Sequence, residues 1–561
     1  MSDVQASFRP AGTAGVLIDC GDLDAALRVF TVLRAARDEG ALAVGEIVPA
    51  ARTVLVVGGE ARDPRRLVPK LRRLIEAGAA AAEIGTSATE TVIPVAYEGP
   101  DLGEVAALTG MSAQQVIERH AASEYTVAFT GFAPGFAYLS GGDPALEVPR
   151  RSTPRSRIEA GAVGLAGPFS GVYPRASPGG WQIIGRTDHA MWDTRREQPA
   201  ALLAGGTVRF RPEREHVSAR ADRTPERTTP PPPGAGPDAA TGTPSLRVID
   251  PGLQSLVEDA GRRGVSGMGV GASGTAVPRA LGRANRLVGN RPGAAAVELA
   301  HGGFAVEAVA TTVLALTGAE RRGRVTGPSG TRAAPHETPF RLSTGERLEL
   351  DAPRRGLRTV LAVRGGVLAP ATLGSRSRDT LAGLGPEPLA AGDVIAAGDD
   401  AVAAVGAPEP PVPTELPAAG EETTLRVVLG PRDDWFDARA LATFTGESWE
   451  VTPRSDRVGV RLAGTPLTRA EGYRDRELPS EGMVLGALQV PPDGQPVLFL
   501  ADRPLTGGYP VIAVVHDDDL ETAAQLVPGS RIRFTPSDEA GRPSTTEHPG
   551  TDTDTEQEMP S

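Results

Sequence analysis

Lysine and cysteine are nearly missing from this 561-residue chain, and each shortage excludes chemistry. The single cysteine, Cys20, can form no intrachain disulfide and supplies no cysteine-cluster metal site. Lys70 is the one lysine among 58 basic residues, so no GxxxxGK(S/T) phosphate loop can be completed. The same scarcity argues against a Ser-Ser-Lys amidase triad and against a biotinyl-lysine, because Lys70 stands in VPKLRR on a helical pattern. Aromatics make up 4% of the residues, and no run of 18 apolar residues occurs, which excludes a spanning helix. The opening MSDVQASFRPAGTAG lacks the basic-then-apolar order of a signal peptide, so a cytoplasmic protein without a membrane partner is expected. The seven histidines are dispersed, with no HxH or HExxH, and indicate no metal site.

Glycine and proline are plentiful, at 68 and 51 residues, which favours turns and short strands over long helices. The length suggests three or four domains. The net charge of -12 is partly a property of the tail: residues 537–561 hold seven acidic residues against Arg542 alone and read as disordered. The remainder is mildly acidic, which argues against nucleic acid as a partner.

Residues 1–85 read as a small α/β layer. VLIDC and TVLVVGG are strand patterns, and DLDAALRVFTVLRAARDEG and RDPRRLVPKLRRLIEAGA are amphipathic helix patterns, with Asp63 before Pro64 as a helix start. Residues 86–212 read as short strands, with one helix in MSAQQVIERHAA. A Pro-rich linker, 213–245, leads to a second module whose one clear helix is PRALGRANRLVGN. Its first β half, 246–406, is divided by a Pro-rich connection, 407–422, from a second β half, 423–536. The two modules echo each other in order: IEAGAVGLAG, SPGGWQIIGRT and GTVRFRP in the first, SEGMVLGALQV, TGGYPVIAVV and GSRIRFTP in the last. That order predicts a repeated β-barrel-like unit.

Several motifs bear chemistry. GVGASG at 269–274 matches GxGxxG, but no buried strand precedes it, so it reads as a turn feeding a helix. In TGFAPGFAYL, the turn Pro134-Gly135-Phe136 either packs a core hairpin or walls a pocket. PRRSTPRSR carries Arg150 and Arg155, whose guanidinium forks suit a carboxylate or phosphate. SPGGWQIIGRT adds Gly179, Gly180, Trp181 and Arg186. In LGSRSRDTLAG, the hydroxyls of Ser375 and Ser377 with Arg376 suit an oxyanion or carboxylate. SDRVGVRL and ADRPLTGGYP each set an Asp-Arg pair beside glycines, with Asp456, Arg457 and Asp502 as candidates. Glu481 and Gln489 lie eight apart, on one face if that segment stays extended.

Together these motifs resemble known families. Residues 15–212, through HAASEYTVAFTGFAPGFAYL, PRRSTPRSRIEAGAVGLAG and VYPRASPGGWQIIGRT, resemble the allophanate-hydrolase-subunit-1 family, which includes the B component of 5-oxoprolinase and Kip-type kinase inhibitors. Residues 246–536, through VIDPGLQSLVEDAGR, RANRLVGN, GSRSRDTLAGLG, SDRVGVRL, SEGMVLGALQVPPDGQPVLFLAD and TGGYP, resemble the subunit-2 family, which includes the C component of 5-oxoprolinase. Both also occur fused in the carboxyltransferase part of urea carboxylase.

The resemblance implies a mainly β fold with a small α/β N-terminal layer and tandem cyclophilin-like barrel modules. It also implies ATP-dependent opening of 5-oxoproline, with Mg2+, beside a separate 5-oxoprolinase A component. A carboxyltransferase using carboxybiotin from another chain on urea or a related amide is the alternative, and a kinase-regulatory binding protein a further one. The catalytic candidates are Glu481, Asp502 and Asp456. Binding candidates are the turn, arginine and serine residues above with Gln489, Thr506, Gly507 and Gly508, and a homo-oligomer is possible. Two departures stand out: Val277 occupies a position usually Asp, and Pro504-Leu505 replace the common Gln-Thr.

Overall fold

The computed structural model describes residues 6–59, 63–78, 90–213, 242–409 and 416–537. Most of the expected linker, the centre of the Pro-rich connection and nearly all of the acidic tail lie outside the described residues. Among the described residues, no helix is long and apolar enough to cross a membrane.

Four antiparallel strands form the N-terminal sheet, in the order Ser7–Pro10, Gly15–Asp19, Thr53–Gly58, Val44–Pro49. Two of them, Ser7–Pro10 and Val44–Pro49, lie outside the predicted strands. Helices α1 (Leu23–Asp38) and α2 (Pro64–Gly78) cover one face. Asp22 caps α1 by accepting from the Ala25 amide at 2.8 Å. The central strands carry apolar residues in succession rather than in alternation because both faces are covered. Val16, Ile18, Val54 and Val56 pack with the helices, while Leu17, Val48 and Leu55 point the other way, into a cluster with Met483, Val484, Phe499 and Val514 of the C-terminal barrel. The N-terminal layer is therefore docked on the far end of the chain.

The first barrel runs round in the order Gln182–Arg186, Ala162–Ala166, Phe169–Val172, Ala137–Ser140, Glu124–Thr130, Thr207–Pro212, Glu90–Val95. A bridge between Ala96 and Arg186 joins its two ends. The closed C-terminal barrel runs Val511–Val515, Ala487–Gln489, Val497–Phe499, Gly459–Ala463, Ser448–Val451, Arg531–Pro536, Glu422–Leu429. Strand for strand the order is the same, down to the parallel pairing of first and last strands. Each barrel also carries a two-stranded ribbon: Arg155–Ile158 with Ser177–Gly179, and Glu481–Gly482 with Thr506–Gly507. The echo in the sequence is a repeated barrel.

Between them lies a body of two sheets, seven- and five-stranded, packed over a shared apolar core. Its first strand begins at Thr243, two residues ahead of the predicted linker end. Beyond the predicted helix α4 (Ala113–Ala122), which starts with a Ser112–Gln115 capping box, there is α3 (Leu102–Thr109), which lies outside the predicted helices. Helix α5 (Pro278–Val288) is the predicted one and ends on Gly289 at φ 75°. It is not the only helix of its module: α6 (Ala438–Gly446), capped by Asp437, takes the place in the second barrel that α3 and α4 hold in the first. Short α7 (Leu520–Ala524) is the last α-helix among the described residues.

Val277 is the N-cap of α5 and has no side-chain bond to give. The amides of Arg279 and Ala280, which a capping Asp would engage, instead donate to the two oxygens of Glu521, each at 3.1 Å. The cap has moved to another element. Glu521→Ala is expected to cost about 1–2 kcal/mol in denaturant titration. Val277→Asp in that background should recover most of it, and a lack of recovery would show that the helix start needs no carboxylate.

Candidate functional site

Most of the polar loops expected to hold a ligand hold the protein itself. The Ser375 and Ser377 hydroxyls both donate to Asp259 Oδ1 at 2.6 Å, and the Arg376 amide donates to Oδ2 at 2.7 Å. The Arg376 Nε is spent on the Ala369 carbonyl. The loop does grip a carboxylate, as its chemistry implied, but that carboxylate is Asp259. Arg155 is likewise committed, with two bonds of 2.7 and 2.8 Å to Asp101, which also accepts from Arg151 and the Ile183 amide. Burial alone would raise the Asp101 pKa, and these donors, led by Arg155, hold it below the usual range. Arg186 pairs with Glu98 at the surface. Arg150 is exposed, with its charge acting on the Tyr138 and Tyr173 hydroxyls.

The Pro134-Gly135-Phe136 turn is buried at a junction of modules. The Gly135 amide donates to the Met268 carbonyl at 3.0 Å, and Thr130 Oγ1 to the Ser266 carbonyl at 3.1 Å. Phe136 packs edge-on against Tyr138, Tyr173 and Trp181, with centroids 5.0–5.4 Å apart. A Cβ on Gly131 would fall 2.4 Å from Thr506 Oγ1, and one on Gly269 would fall 2.8 Å from the Ala133 carbonyl. The GxGxxG match thus serves close approach of loop to loop. Gly179 pairs with Arg155 across the first ribbon, and the Gly180 carbonyl accepts from the Arg151 amide.

Glu481 and Gln489 do not share an extended strand. The chain turns between them at Gly486, φ 81°, and they come together only by flanking Gly507: Glu481 faces it in register, and a Cβ there would fall 2.6 Å from Gln489 Nε2. Gln489 donates to the Tyr509 carbonyl at 3.0 Å, beside Gly508. Glu481 is buried against Arg432, whose Nη2 also reaches Asp19 of the N-terminal layer at 2.9 Å. Burial raises the Glu481 pKa, only partly offset by Arg432. Arg432 follows a Gly-Pro step, and its amide bonds the Val511 carbonyl, as the Asp101 amide, after its own Gly-Pro, bonds that of Ile183. The two barrels therefore build the same loop-to-ribbon clamp with opposite charges: Asp101 on Arg155, Arg432 on Glu481.

The two Asp-Arg motifs cross-pair. Arg457 Nε bonds Asp502 Oδ2 at 3.0 Å, and its other nitrogens meet Glu298 and, at 3.3 Å, Glu258. Asp456 points elsewhere, capping the Val458 and Gly459 amides at an exposed turn. Asp502 also accepts from Ser273 Oγ at 2.6 Å and Thr380 Oγ1 at 2.7 Å. Its burial would raise its pKa, but Arg457 holds it low. Burial pushes Glu258 well up. Burial and the charge of Asp502 push Asp379 to about 6.

Ser273 marks the edge of a cavity of about 610 Å3, within the range of small-molecule sites. The cavity lies between the Ala11–Gly15 turn of the N-terminal layer, the loop leading into α5, and the C-terminal barrel. Its walls include Val484, Leu485, Val514 and Leu520, with Arg503 among its polar groups. Neither Ser273 nor Arg503 stood out in the sequence. The signals were weak: an Arg beside a candidate Asp, and a Ser in a rejected motif, here held at φ 52°.

Family models match almost the whole described chain. "Carboxyltransferase domain, subdomain C and D" covers residues 6–202, and "Carboxyltransferase domain, subdomain A and B" covers 268–536. The crystal structure of TTHA0988 superposes with a TM-score of 0.77 at 33% identity, covering 93% of this chain and 99% of that one. The chain belongs to the carboxyltransferase-domain family. Within it, the C component of 5-oxoprolinase from Escherichia coli K12 is 34% identical over 297 residues, 52% of this chain and 90% of the relative. The B component of 5-oxoprolinase from Escherichia coli O157:H7 is 50% identical over 128 residues, 22% of this chain, and that match spans 59% of the relative. A urea amidolyase of Lachancea kluyveri is 31% identical over 312 residues, 52% of this chain but 17% of that protein. The fold expectation holds: a mainly β chain with a small α/β layer and tandem cyclophilin-like barrels, to which the two-sheet body is added.

Neither the GVGASG turn nor the serine loop is open to a nucleotide. Gly269 is packed on Ala133, and the serine loop is closed on Asp259. Among the described residues, no group of three or more His, Cys, Asp or Glu side chains could hold a metal ion.

Proposed function

We propose that this chain is the fused B/C component of an ATP-dependent 5-oxoprolinase, opening 5-oxo-L-proline to L-glutamate together with a separate protein of the 5-oxoprolinase A type. The observation that carries this is the interlocking of the B-like and C-like parts within one polypeptide. Arg432 of the C-terminal barrel is buried between Asp19 and Glu481, and the first barrel's TGF turn lies against Thr506. One chain thus holds two cooperating components at fixed ratio and orientation. The relatives named as the B and C components of 5-oxoprolinase, matching separate parts of the chain, support the same reading.

An unstrained lactam is a poor electrophile, which is why ATP, with Mg2+, belongs to this reaction. No residue of this chain is assigned to the nucleotide. What the chain contributes is a partly apolar cavity at the module junction, lined also by Arg279 and Arg503, by Ser273 and Thr275, and by Asp517 and Glu521, the last of which caps α5. The setting is cytoplasmic, where ATP is plentiful.

A second reading, transfer of a carboxyl group from carboxybiotin on another chain to urea or a related amide, draws on the family and on the urea amidolyase relative. Kinase regulation is less suited, since the two parts are permanently joined.

The test is 5-oxoproline-dependent ATP hydrolysis with and without the co-purified partner. Glutamate and ADP should appear together, and only with the partner. No turnover with a competent partner, alongside carboxylation of urea from carboxybiotin, would replace this reading with the second.

A further inference from the structure

Arg503 differs from the buried arginines around it. Arg432 and Arg457 lie on carboxylates, and Arg262 and Arg321 are bonded to carbonyls. Arg503 donates from Nε to the Met483 carbonyl at 3.1 Å, and among the described residues its two Nη atoms have no hydrogen-bond partner and no carboxylate within ion-pair distance. The acids whose charge acts on it, Glu46 and Asp379, are occupied. Glu46 accepts from the Gly264 amide and the Ser266 hydroxyl, and Asp379 from the Ala382 amide. Burial pulls the Arg503 pKa down, to about 10, which leaves it cationic at neutral pH. Its Nη donors are not sealed in the protein interior but left open, so an anion entering from the cavity can pair with them. Arg503 lines the 610 Å3 cavity, half-buried, so the space in front of it is open to a ligand.

We propose that Arg503 anchors the carboxylate of an amide or lactam substrate bound in this cavity. The inference rests on the lactam-opening reading and narrows it. A free guanidinium fork takes a carboxylate through two parallel bonds, while Val484, Leu485 and Val514 offer apolar surface to ring methylenes. 5-Oxoproline carries the required carboxylate, whereas urea carries none and leaves the cation uncompensated.

Calorimetry on the full chain with 5-oxo-L-proline, 2-pyrrolidinone and urea tests this. Wild type should bind 5-oxoproline about 10–100-fold more tightly than the neutral lactam, the range of a hydrogen-bonded charge. Arg503→Gln should erase that preference. Arg503→Met keeps the apolar stem and gives up one hydrogen bond, to the Met483 carbonyl, so it should melt within a few degrees of wild type and lost binding would not be lost folding. Equal binding of 5-oxoproline by wild type and Arg503→Gln, or no preference for the acid in wild type, overturns the anchor. In the partnered assay, turnover of 5-oxoproline with KM unchanged in Arg503→Gln sinks the anchor and leaves the lactamase reading standing. Arg503-dependent carboxylate binding without 5-oxoproline turnover does the reverse.

Discussion

Arg457→Met should be the most damaging single change in the molecule, costing more than about 4 kcal/mol or leaving no folded second module. The side chain is fully buried among Glu258, Glu298 and Asp502, with its Nη2 also bonding the Gly274 carbonyl at 2.5 Å. Removing it leaves three buried acids with Arg358, which lies 3.4 Å from Glu298, as the remaining cation. Urea titration of wild type and variant measures the cost, and a loss under about 1 kcal/mol would show that the cluster is not held by this charge.

The acids should not respond alike. Asp502 is held ionised by Arg457, so Asp502→Asn is costly. Glu258 meets Arg457 only at 3.3 Å and its pKa is pushed up by burial, so Glu258→Gln should cost less than Asp502→Asn. Asp379 adds a pH signature. Its folded pKa, raised from 3.8 to about 6, means that the folded state holds this proton more tightly than the unfolded chain does. Stability from this group is therefore full below about pH 4 and lost as pH rises toward 6. Asp379→Asn should gain on wild type across that window and run parallel above it.

Arg432→Gln should come next, at about 3–5 kcal/mol, because it strands two buried carboxylates from different parts of the chain. Asp19 keeps Arg52 at 2.9 Å, so the heavier burden falls on Glu481. Adding Glu481→Gln should restore a good part of the loss, since a neutral amide needs no counter-charge. Denaturant titration of the two single variants and the double gives the coupling, and additive effects would refute a shared pair. Proteolysis of Arg432→Gln should open the contact between the N-terminal layer and the C-terminal barrel before either barrel unfolds.

Elements with a local cause were legible. Helix α5 declared itself by Pro278 and Gly289, α4 by the pattern of MSAQQVIERHAA, and the apolar strands Gly15–Asp19 and Thr53–Gly58 by their runs of Val, Leu and Ile. Helices α3 and α6 were missed because they are short and sit between strand patterns rich in glycine and proline. The strand Val44–Pro49 was missed because only its last three residues are buried.

For the candidate site, the sequence located the loops but not their occupants. The residue types in GSRSRD and PRRSTPRSR do grip carboxylates, as guanidinium and hydroxyl groups must when they are packed away from water. Spacing cannot tell whether that carboxylate is a ligand or Asp259 and Asp101, which are 116 and 54 residues away along the chain. The sequence by itself determined the family, the repeated barrel order and the absence of lysine and cysteine chemistry, because these follow from residue identity and local pattern. The pairings of Arg432 with Asp19, of Arg457 with Asp502, and the lone charge of Arg503 were decided by tertiary structure. A buried charge is defined by what stands within about 4 Å of it, and here those neighbours come from distant parts of the chain.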